Sequence, residues 1–591
     1  MVAEIQVYPV VEVQGFCKRY RRQVAVDGVD LSIQPGGIYG LIGPDGAGKS
    51  SLMKAVAGVL TYEGGAVDVF GVRVDSEAAA EKVKGRIGFM PQGLGLNLYA
   101  ELSVEENIDF FAQLREVPSG VLAERKRKLL AMTRLGRFRD RPMKNLSGGM
   151  KQKLGLVCTL IHEPELVILD EPTTGVDPVS RRDFWAILAE LLRERGITAL
   201  VSTAYMDEAA RFHRLSLVYG GRVLAEGEPE QIRQVVPGVL VEVEAEPQIE
   251  ALQRLKNDFP QVEAVGPVLR VFVPGASPEA AQEQVAKSLS CLTIKAIHAR
   301  DPELEDAFVA LLRQRKLAGE SAAKAAVMLL DDPPPRDEIA IEAKGLTRDF
   351  GHFRAVDHVG FQVRQGEIFG LLGANGAGKT TVIKMLTGIL PPTDGEGHVA
   401  GADMRRAGQA IKERIGYMSQ AFSLYRDMTV LENIRLYARI YAVPRGQLKS
   451  RTDWVIEMAG LHGVEDRLAG NLPMGVRQRL ALGCALVHRP RVLFLDEPTS
   501  GVDPIGRRRF WDILVQMARV EQVAILVTTH YMSEAEHCDH LALMHAGHII
   551  ADATPAQMKQ ALQQEAGQLL EIATDRPLVA LKLLEEAGFE G

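Results

Sequence analysis

Two segments of the chain set a lysine and a hydroxyl at the end of a glycine-rich run: Gly43-Pro44-Asp45-Gly46-Ala47-Gly48-Lys49-Ser50 and Gly373-Ala374-Asn375-Gly376-Ala377-Gly378-Lys379-Thr380. Each follows an apolar run, IYGLI or IFGLL, and precedes a helical pattern that opens with a further hydroxyl, Ser51 or Thr381. This composition can cradle phosphate. Glycines let successive backbone N–H groups curl around anionic oxygens, and the helix N-terminus adds its positive end. Lys49 or Lys379 reaches the outer phosphates, while Ser50 or Thr380 offers an oxygen to Mg²⁺. Farther along, LVILDE and VLFLDE are apolar runs that end in paired acids. Such runs suit strands buried on both faces of a parallel sheet, whose carboxyl ends carry the ligands. There Asp170 and Asp496 can hold Mg²⁺ through water, and Glu171 and Glu497 can polarise an attacking water.

Three further motifs complete the set: glutamines in RIGFMPQ and RIGYMSQ (Gln92, Gln420), LSGGMKQKLGL at Leu146, and a histidine in TTHYMSEAEH (His530). With the glycine loops and LDEPTTGVDP, in this order, the chain resembles the ATP-binding cassette ATPases over nearly its whole length. Within them it is similar to twin-cassette ATP-binding subunits of bacterial ABC-2-type exporters, a resemblance that extends to multidrug efflux. The resemblance implies two P-loop NTPase domains packed head to tail, each ATP lying between the glycine loop of one and the LSGG helix end of the other. It implies that Gln92 and Gln420 contact Mg²⁺ and water and sense a membrane subunit. It further implies that Asp177 and Asp503 cross the seam, that Tyr20 and Phe350 stack on adenine, that Ser147, Gly148, Gly149 and Gly475 face the partner's nucleotide, and that His530 contacts the γ-phosphate.

Two positions depart from this pattern. In STAYMDEAAR, Ala204 stands where the second copy has His530. Where the first copy reads Leu146-Ser147-Gly148-Gly149-Met150, the second reads Leu472-Pro473-Met474-Gly475-Val476. Pro473 has neither a hydroxyl nor an N–H, and Met474 adds bulk where glycine permits close approach. Under head-to-tail pairing both losses fall in one composite site, with the loop of Lys49. The other site, with Lys379, Glu497 and His530, receives the intact Ser147-Gly148-Gly149. One full-strength site and one slow site are expected.

The elements that must position these residues come as a tandem repeat. Lys49 and Lys379 are 330 apart, Gln92 and Gln420 are 328 apart, and Asp170 and Asp496 are 326 apart. A near-constant offset in unchanged order marks a duplication. We place an α/β cassette at 10–236, a small α+β accessory domain at 237–318, a Pro-rich linker at 319–338 (DDPPPRDE), a second cassette at 339–563 and a partial accessory domain at 564–591. The alternating VLVEVEA, VLRVFV and LTIKAI read as half-buried strands separated by helical stretches, which suggests a ferredoxin-like arrangement. Residues 567–591 resemble the start of that accessory domain and then stop, so the second copy is either vestigial or cut short, and truncation is the expectation.

At 591 residues the chain exceeds one core, and 46% hydrophobic with 25% charged residues is an ordinary globular balance. The net charge of −7 disfavours a nucleic acid partner. Five scattered cysteines without a CxxC pair fit a reducing cytoplasm. No apolar run of 18 residues and no secretory leader is present, so separate integral membrane permease subunits must supply any transmembrane path. The expected function is an ATP-hydrolysing export subunit with ATP and Mg²⁺ as cofactors, placed peripherally on the cytoplasmic side of the inner membrane. The segments 93–145 and 421–471 would face the membrane partner. The alternative is a twin-cassette ATPase acting on ribosomes.

Overall fold

The architecture comes from a computed structural model that describes residues 8–21, 23–93, 97–315, 338–405, 408–420 and 424–566, with Leu583 and Ala587. Most of the Pro-rich linker (316–337) and of the proposed partial accessory domain (567–591) lies outside the described residues.

The two cassettes share one plan. In the first, a six-stranded sheet runs in the order Arg222–Gly227, Arg214–Tyr219, Ile38–Ile42, Thr198–Thr203, Leu166–Asp170, Ile87–Met90. All neighbours are parallel except the Arg222–Gly227 edge. The second cassette repeats this with Ile415–Met418, Val492–Asp496, Ala524–Thr529, Ile368–Gly373, His540–His545 and His548–Ala553. Every residue of Leu166–Asp170 and Val492–Asp496 is buried, as strands covered on both faces require. A four-stranded antiparallel sheet flanks each core, built on Val11–Tyr20 and Ile339–Phe350.

Residues 238–300 form strand Gly238–Glu246, helix Gln248–Asp258, strands Val262–Val265 and Val268–Pro274, helix Pro278–Ser288 and strand Thr293–Arg300. The sheet order is second, third, first, fourth strand, all antiparallel, which is the split βαβ arrangement of ferredoxin-like domains. Val241, Val243, Leu269 and Val271 pack beneath the helices with Leu255 and Val285.

Helix Leu304–Gln314 departs from the sequence grouping, which assigned it to the accessory domain. Its Leu304, Phe308, Leu311 and Leu312 join the core of the first cassette. Its Ala310 touches Leu240 and Phe272 on the open face of the accessory sheet. An 11-residue helix with apolar residues on most sides has more than one surface to bury, so it becomes the wedge between the two units.

The accessory domain and this helix also dock on the second cassette. Arg508 lies 2.7 Å from Asp306, 3.2 Å from Glu263 and 3.3 Å from Glu305, and Arg507 pairs with Glu305. Arg270 meets Glu536 at 3.0 Å, and His537 Nδ1 donates to the Ala264 carbonyl at 3.1 Å while its ring stacks on Trp511. Three carboxylates around one largely buried guanidinium push its pKa up against the cost of burial. The cluster ties residues 263–306 to residues 507–537.

Candidate active site

Each glycine loop joins the central strand to its helix. Gly48 and Gly378 sit at φ 97° and 106°, in the left-handed region. A Cβ there would meet the Ala25 or Ala355 carbonyl oxygen at 2.5 or 2.6 Å, so only glycine closes the loop. Helices Lys49–Val56 and Lys379–Leu386 follow, with their first N–H groups unclaimed by a side-chain cap. Lys49 Nζ donates to the Gly43 and Pro44 carbonyls at 2.6 and 3.0 Å; Lys379 Nζ donates to those of Gly373 and Ala374 at 2.7 and 3.1 Å. Both amines are buried at the loop mouth, and burial lowers the Lys379 pKa.

The acids at the strand ends face these amines. Lys49 lies 3.2 Å from Glu171, and Lys379 lies 3.7 Å from Glu497. Gln92 Nε2 donates to Glu171 Oε2 at 2.7 Å, and Gln420 Nε2 donates to Glu497 Oε2 at 2.8 Å. Glu171 and Glu497 both adopt φ 49°, left-handed backbone that costs about 1–3 kcal/mol in a non-glycine residue. The turn is held by Ser202 Oγ and Thr528 Oγ1, which accept from the two glutamate N–H groups at 2.9 and 3.1 Å. The same hydroxyls donate to Asp170 and Asp496 at 2.6 Å.

These oxygens fit a hard divalent cation. Thr380 Oγ1 donates to Asp496 Oδ1 at 3.1 Å, and the Ser50 hydroxyl stands beside Asp170. Asp170 Oδ2 is buried and, among the described residues, has no hydrogen-bond partner. Burial raises the pKa of both aspartates, and a nearby cation would reverse that shift. Among the described residues no cluster of three or more His, Cys, Asp or Glu side chains could hold a metal unaided. A carboxylate, a hydroxyl and an amide oxygen therefore make a partial shell, of the kind that phosphate oxygens complete.

His530 is 1% exposed, and its Nδ1 lies 3.2 Å from Glu497 Oε2. The approach is off the hydrogen-bond axis, and among the described residues neither ring nitrogen has a hydrogen-bond partner. Burial alone would raise the Glu497 carboxyl; His530, Lys379 and Gln420 more than offset it and hold the pKa below the usual value. Ala204 is equally buried but brings no polar atom to Glu171. His213 is not a substitute, since its Nδ1 accepts from the Ile38 N–H at 3.1 Å.

The helix ends differ in the same sense. Ser147 caps Gly148–Leu160 and accepts from the Met150 N–H at 3.3 Å, whereas Pro473 caps Met474–Leu486 with no side-chain bond. Gly149 abuts Ser180, where a Cβ would come within 2.5 Å, whereas a Cβ at Gly475 would meet Asp503 and Val502 in ordinary contact at 3.4 Å. Asp177 and Asp503 cap the next helices through the Ser180 and Gly506 N–H groups.

Across the seam the loops cross. Asn375 Nδ2 donates to the Gly175 carbonyl at 3.1 Å, and Asp177 acts on the charge of Lys379. The loop of Lys379 thus meets the segment that packs on Ser147–Gly149. In the other direction Asp45 feels Asp503 and Arg477, the latter on the helix headed by Pro473. Burial, then the charge of Glu171, pushes the Asp45 pKa up to about 6. Tyr20 and Phe350 are half exposed beside the loops; Tyr20 OH lies 3.3 Å from Ser51 Oγ, and the Arg348 guanidinium lies 4.8 Å from the Phe350 ring centre. Thr381 follows Thr380 on its helix, partly buried.

Sequence reading passed over four participants: Asn375, Arg477, Tyr205 and Tyr531. The tyrosines were visible as an identity shared by the two repeats, but nothing local assigned them a partner.

Comparison with known proteins places this geometry. The family model described as ABC transporter matches residues 26–174 and 356–500. The chain is 40% identical over 558 residues, 93% of its length and 94% of the relative's, to the "Probable multidrug ABC transporter ATP-binding protein YbhF" of Escherichia coli (strain K12). It is 36% identical over 213 residues, 36% of this chain and 69% of the relative's, to the "Bacitracin transport ATP-binding protein BcrA" of Bacillus licheniformis. Among solved structures, the archaeal ribosome recycling factor aABCE1, in complex with ribosomal stalk protein aP1, matches with a TM-score of 0.59. That match covers 97% of this chain and 98% of the other at 18% identity, a likeness of fold alone.

Proposed function

The chain belongs to the ABC transporter ATP-binding proteins, with two ATPase cassettes on one polypeptide, and from that premise we propose that it energises a bacterial ABC-2-type exporter, a multidrug efflux system, through two unequal ATP sites. Its partners are separate integral membrane permease subunits, and it sits peripherally on the cytoplasmic side of the inner membrane. No described helix is long and apolar enough to cross a membrane, which fits such a division of labour. The segments 93–145 and 421–471 carry exposed apolar residues at matching places, Tyr99 and Leu114 in one and Tyr425 and Ile440 in the other, a surface suited to those subunits.

The observation that carries the unequal-site reading is the coincidence of both losses on one side of the seam. Asp45, in the loop of Lys49, feels the charge of Arg477 on the helix headed by Pro473, and that loop's own cassette offers Ala204. The loop of Lys379 has Glu497 and His530 beside it and meets the segment packed on Ser147–Gly149. In this site Lys379 and the loop N–H groups bind the outer phosphates, Glu497 polarises the water, and His530 and the capped helix end supply donors where charge develops. Bound Mg²⁺, held through Thr380, Asp496 and Gln420 (Ser50, Asp170 and Gln92 in the other site), would neutralise phosphate charge. ATP at the weak site favours the closed form by mass action, because the closed form alone binds it from both sides. Hydrolysis at the strong site then reopens the halves.

The test is a pair of substitutions assayed for ATPase activity. Glu497→Gln nearly abolishes turnover, while Glu171→Gln leaves a substantial part. Equal losses would sink the asymmetry. Co-purification separates the settings: permease chains support the export reading, and ribosomes would replace it.

A further inference from the structure

The two segments that differ by Ala204 and His530 meet each other across the seam. Tyr205 and Tyr531, the residues that follow them, are 3% and 5% exposed, with ring centres 5.3 Å apart. Their hydroxyls are hydrogen-bonded to one another across 326 residues of sequence. Each backbone is pinned: the Tyr205 N–H donates to Thr203 Oγ1 at 3.0 Å, and the Tyr531 N–H donates to Thr529 Oγ1 at 2.9 Å. The Arg181 guanidinium lies 5.6 and 5.7 Å from the two ring centres and so rests against both at once. On the far side, the Tyr531 ring lies against the His530 ring, with centres 4.1 Å apart.

His530 has no hydrogen bond, among the described residues, to fix its ring. Its contact with Glu497 at 3.2 Å and its packing set where its nitrogens stand, and the Tyr531 ring is the aromatic face it packs on. Tyr531 is in turn held at its hydroxyl by Tyr205, with Ser500 as a second partner. In the first cassette the same tyrosine follows Ala204 and has no histidine to hold.

We propose that Tyr205 is a positioning residue for the other cassette's site: its hydroxyl anchors Tyr531, and Tyr531 fixes the His530 ring over Glu497. The half that lost its own histidine thereby contributes to the chemistry of the half that kept one. A continuous line runs from Glu171, which accepts from Thr174 Oγ1 at 3.3 Å, through Thr174, Tyr205, Tyr531 and His530 to Glu497. The inference rests on the reading of Lys379, Glu497 and His530 as the fast site.

Steady-state ATPase kinetics and melting temperatures of the full chain test it. Tyr205→Phe is expected to lower kcat about three- to tenfold with KM for ATP within about twofold, since small misplacement of a catalytic group costs rate more than binding. It should also lower the melting temperature, because the buried Tyr531 hydroxyl loses one of its two partners and keeps only Ser500. Tyr205→Phe with Tyr531→Phe removes both hydroxyls, so the melting temperature should recover while kcat stays low. A kcat that recovers with the melting temperature, or a Tyr205→Phe enzyme with unchanged kcat, overturns the positioning role. His530→Ala guards the premise. If it leaves turnover intact, the fast-site reading itself fails; if it cuts turnover while Tyr205→Phe does nothing, only this inference fails.

Discussion

The two cassettes share strand order, loop geometry, a buried lysine and a left-handed glutamate, yet differ at the atoms that surround that glutamate. Around Glu171 stand Lys49, Gln92 and Thr174. Around Glu497 stand Lys379, Gln420 and His530. The second set draws the carboxyl down despite its burial. On the unequal-site proposal, binding rests on parts that both halves keep and fast cleavage on donors placed only where charge develops. Duplication would then let one site lose the second class of parts while retaining the first.

The comparison breaks most directly at the histidine. His530→Ala should cost about 10²–10³-fold in ATPase rate, the loss expected for one placed donor, while Ala204→His should change the rate by less than about threefold, since the Pro473 helix end still lacks its donors. Steady-state turnover of the two variants checks both.

The accessory domain gives the next contrast. Arg508, set among Glu263, Glu305 and Asp306, corresponds to Arg182 in the first cassette, which is exposed. Arg508→Ala leaves Glu263 and Asp306 without their guanidinium, while Glu305 keeps Arg507, a loss of about 3 kcal/mol. Arg182→Ala should change stability by less than about 0.5 kcal/mol. Denaturant unfolding of the full chain reads the difference.

A smaller effect is expected at the helix ends. Ser147→Ala removes a cap worth about 1 kcal/mol and a donor at the fast site, so turnover should fall about tenfold. Pro473→Ser should leave turnover nearly unchanged. An equal response from both would erase the distinction between the sites.

The smallest effect sharpens the comparison at the loops, where Asp45 stands opposite Asn375 in the repeat. The folded-state pKa of Asp45 is raised from 3.8 to about 6, so the folded chain prefers its proton. Stability from this group is present below about pH 4 and is lost as the pH rises to about 6. Asp45→Asn should stabilise the nucleotide-free chain by about 1–2 kcal/mol at pH 7.5, and the gain should shrink as the pH falls toward 4. Melting temperatures across that range decide it; a gain that persists at pH 4 would point to the amide's own contacts instead.

The amino-acid sequence alone determined everything that depends on near neighbours. The glycine loops, the all-buried strands ending in Asp-Glu, the Ser147 cap and its loss at Pro473, and the exchange of histidine for Ala204 follow from backbone freedom, side-chain chemistry and hydrophobic period within a few residues. Repeat spacing then set how many copies exist and in what order. Tertiary structure decided the rest: that helix Leu304–Gln314 wedges into the first cassette, that Arg508 gathers three carboxylates from the accessory segment, that Asn375 reaches Gly175, and that Tyr205 meets Tyr531. The last three of these join residues some 200 to 326 positions apart. They form only when finished domains dock, and docking depends on the shape and charge of whole surfaces, which no local run of residues encodes.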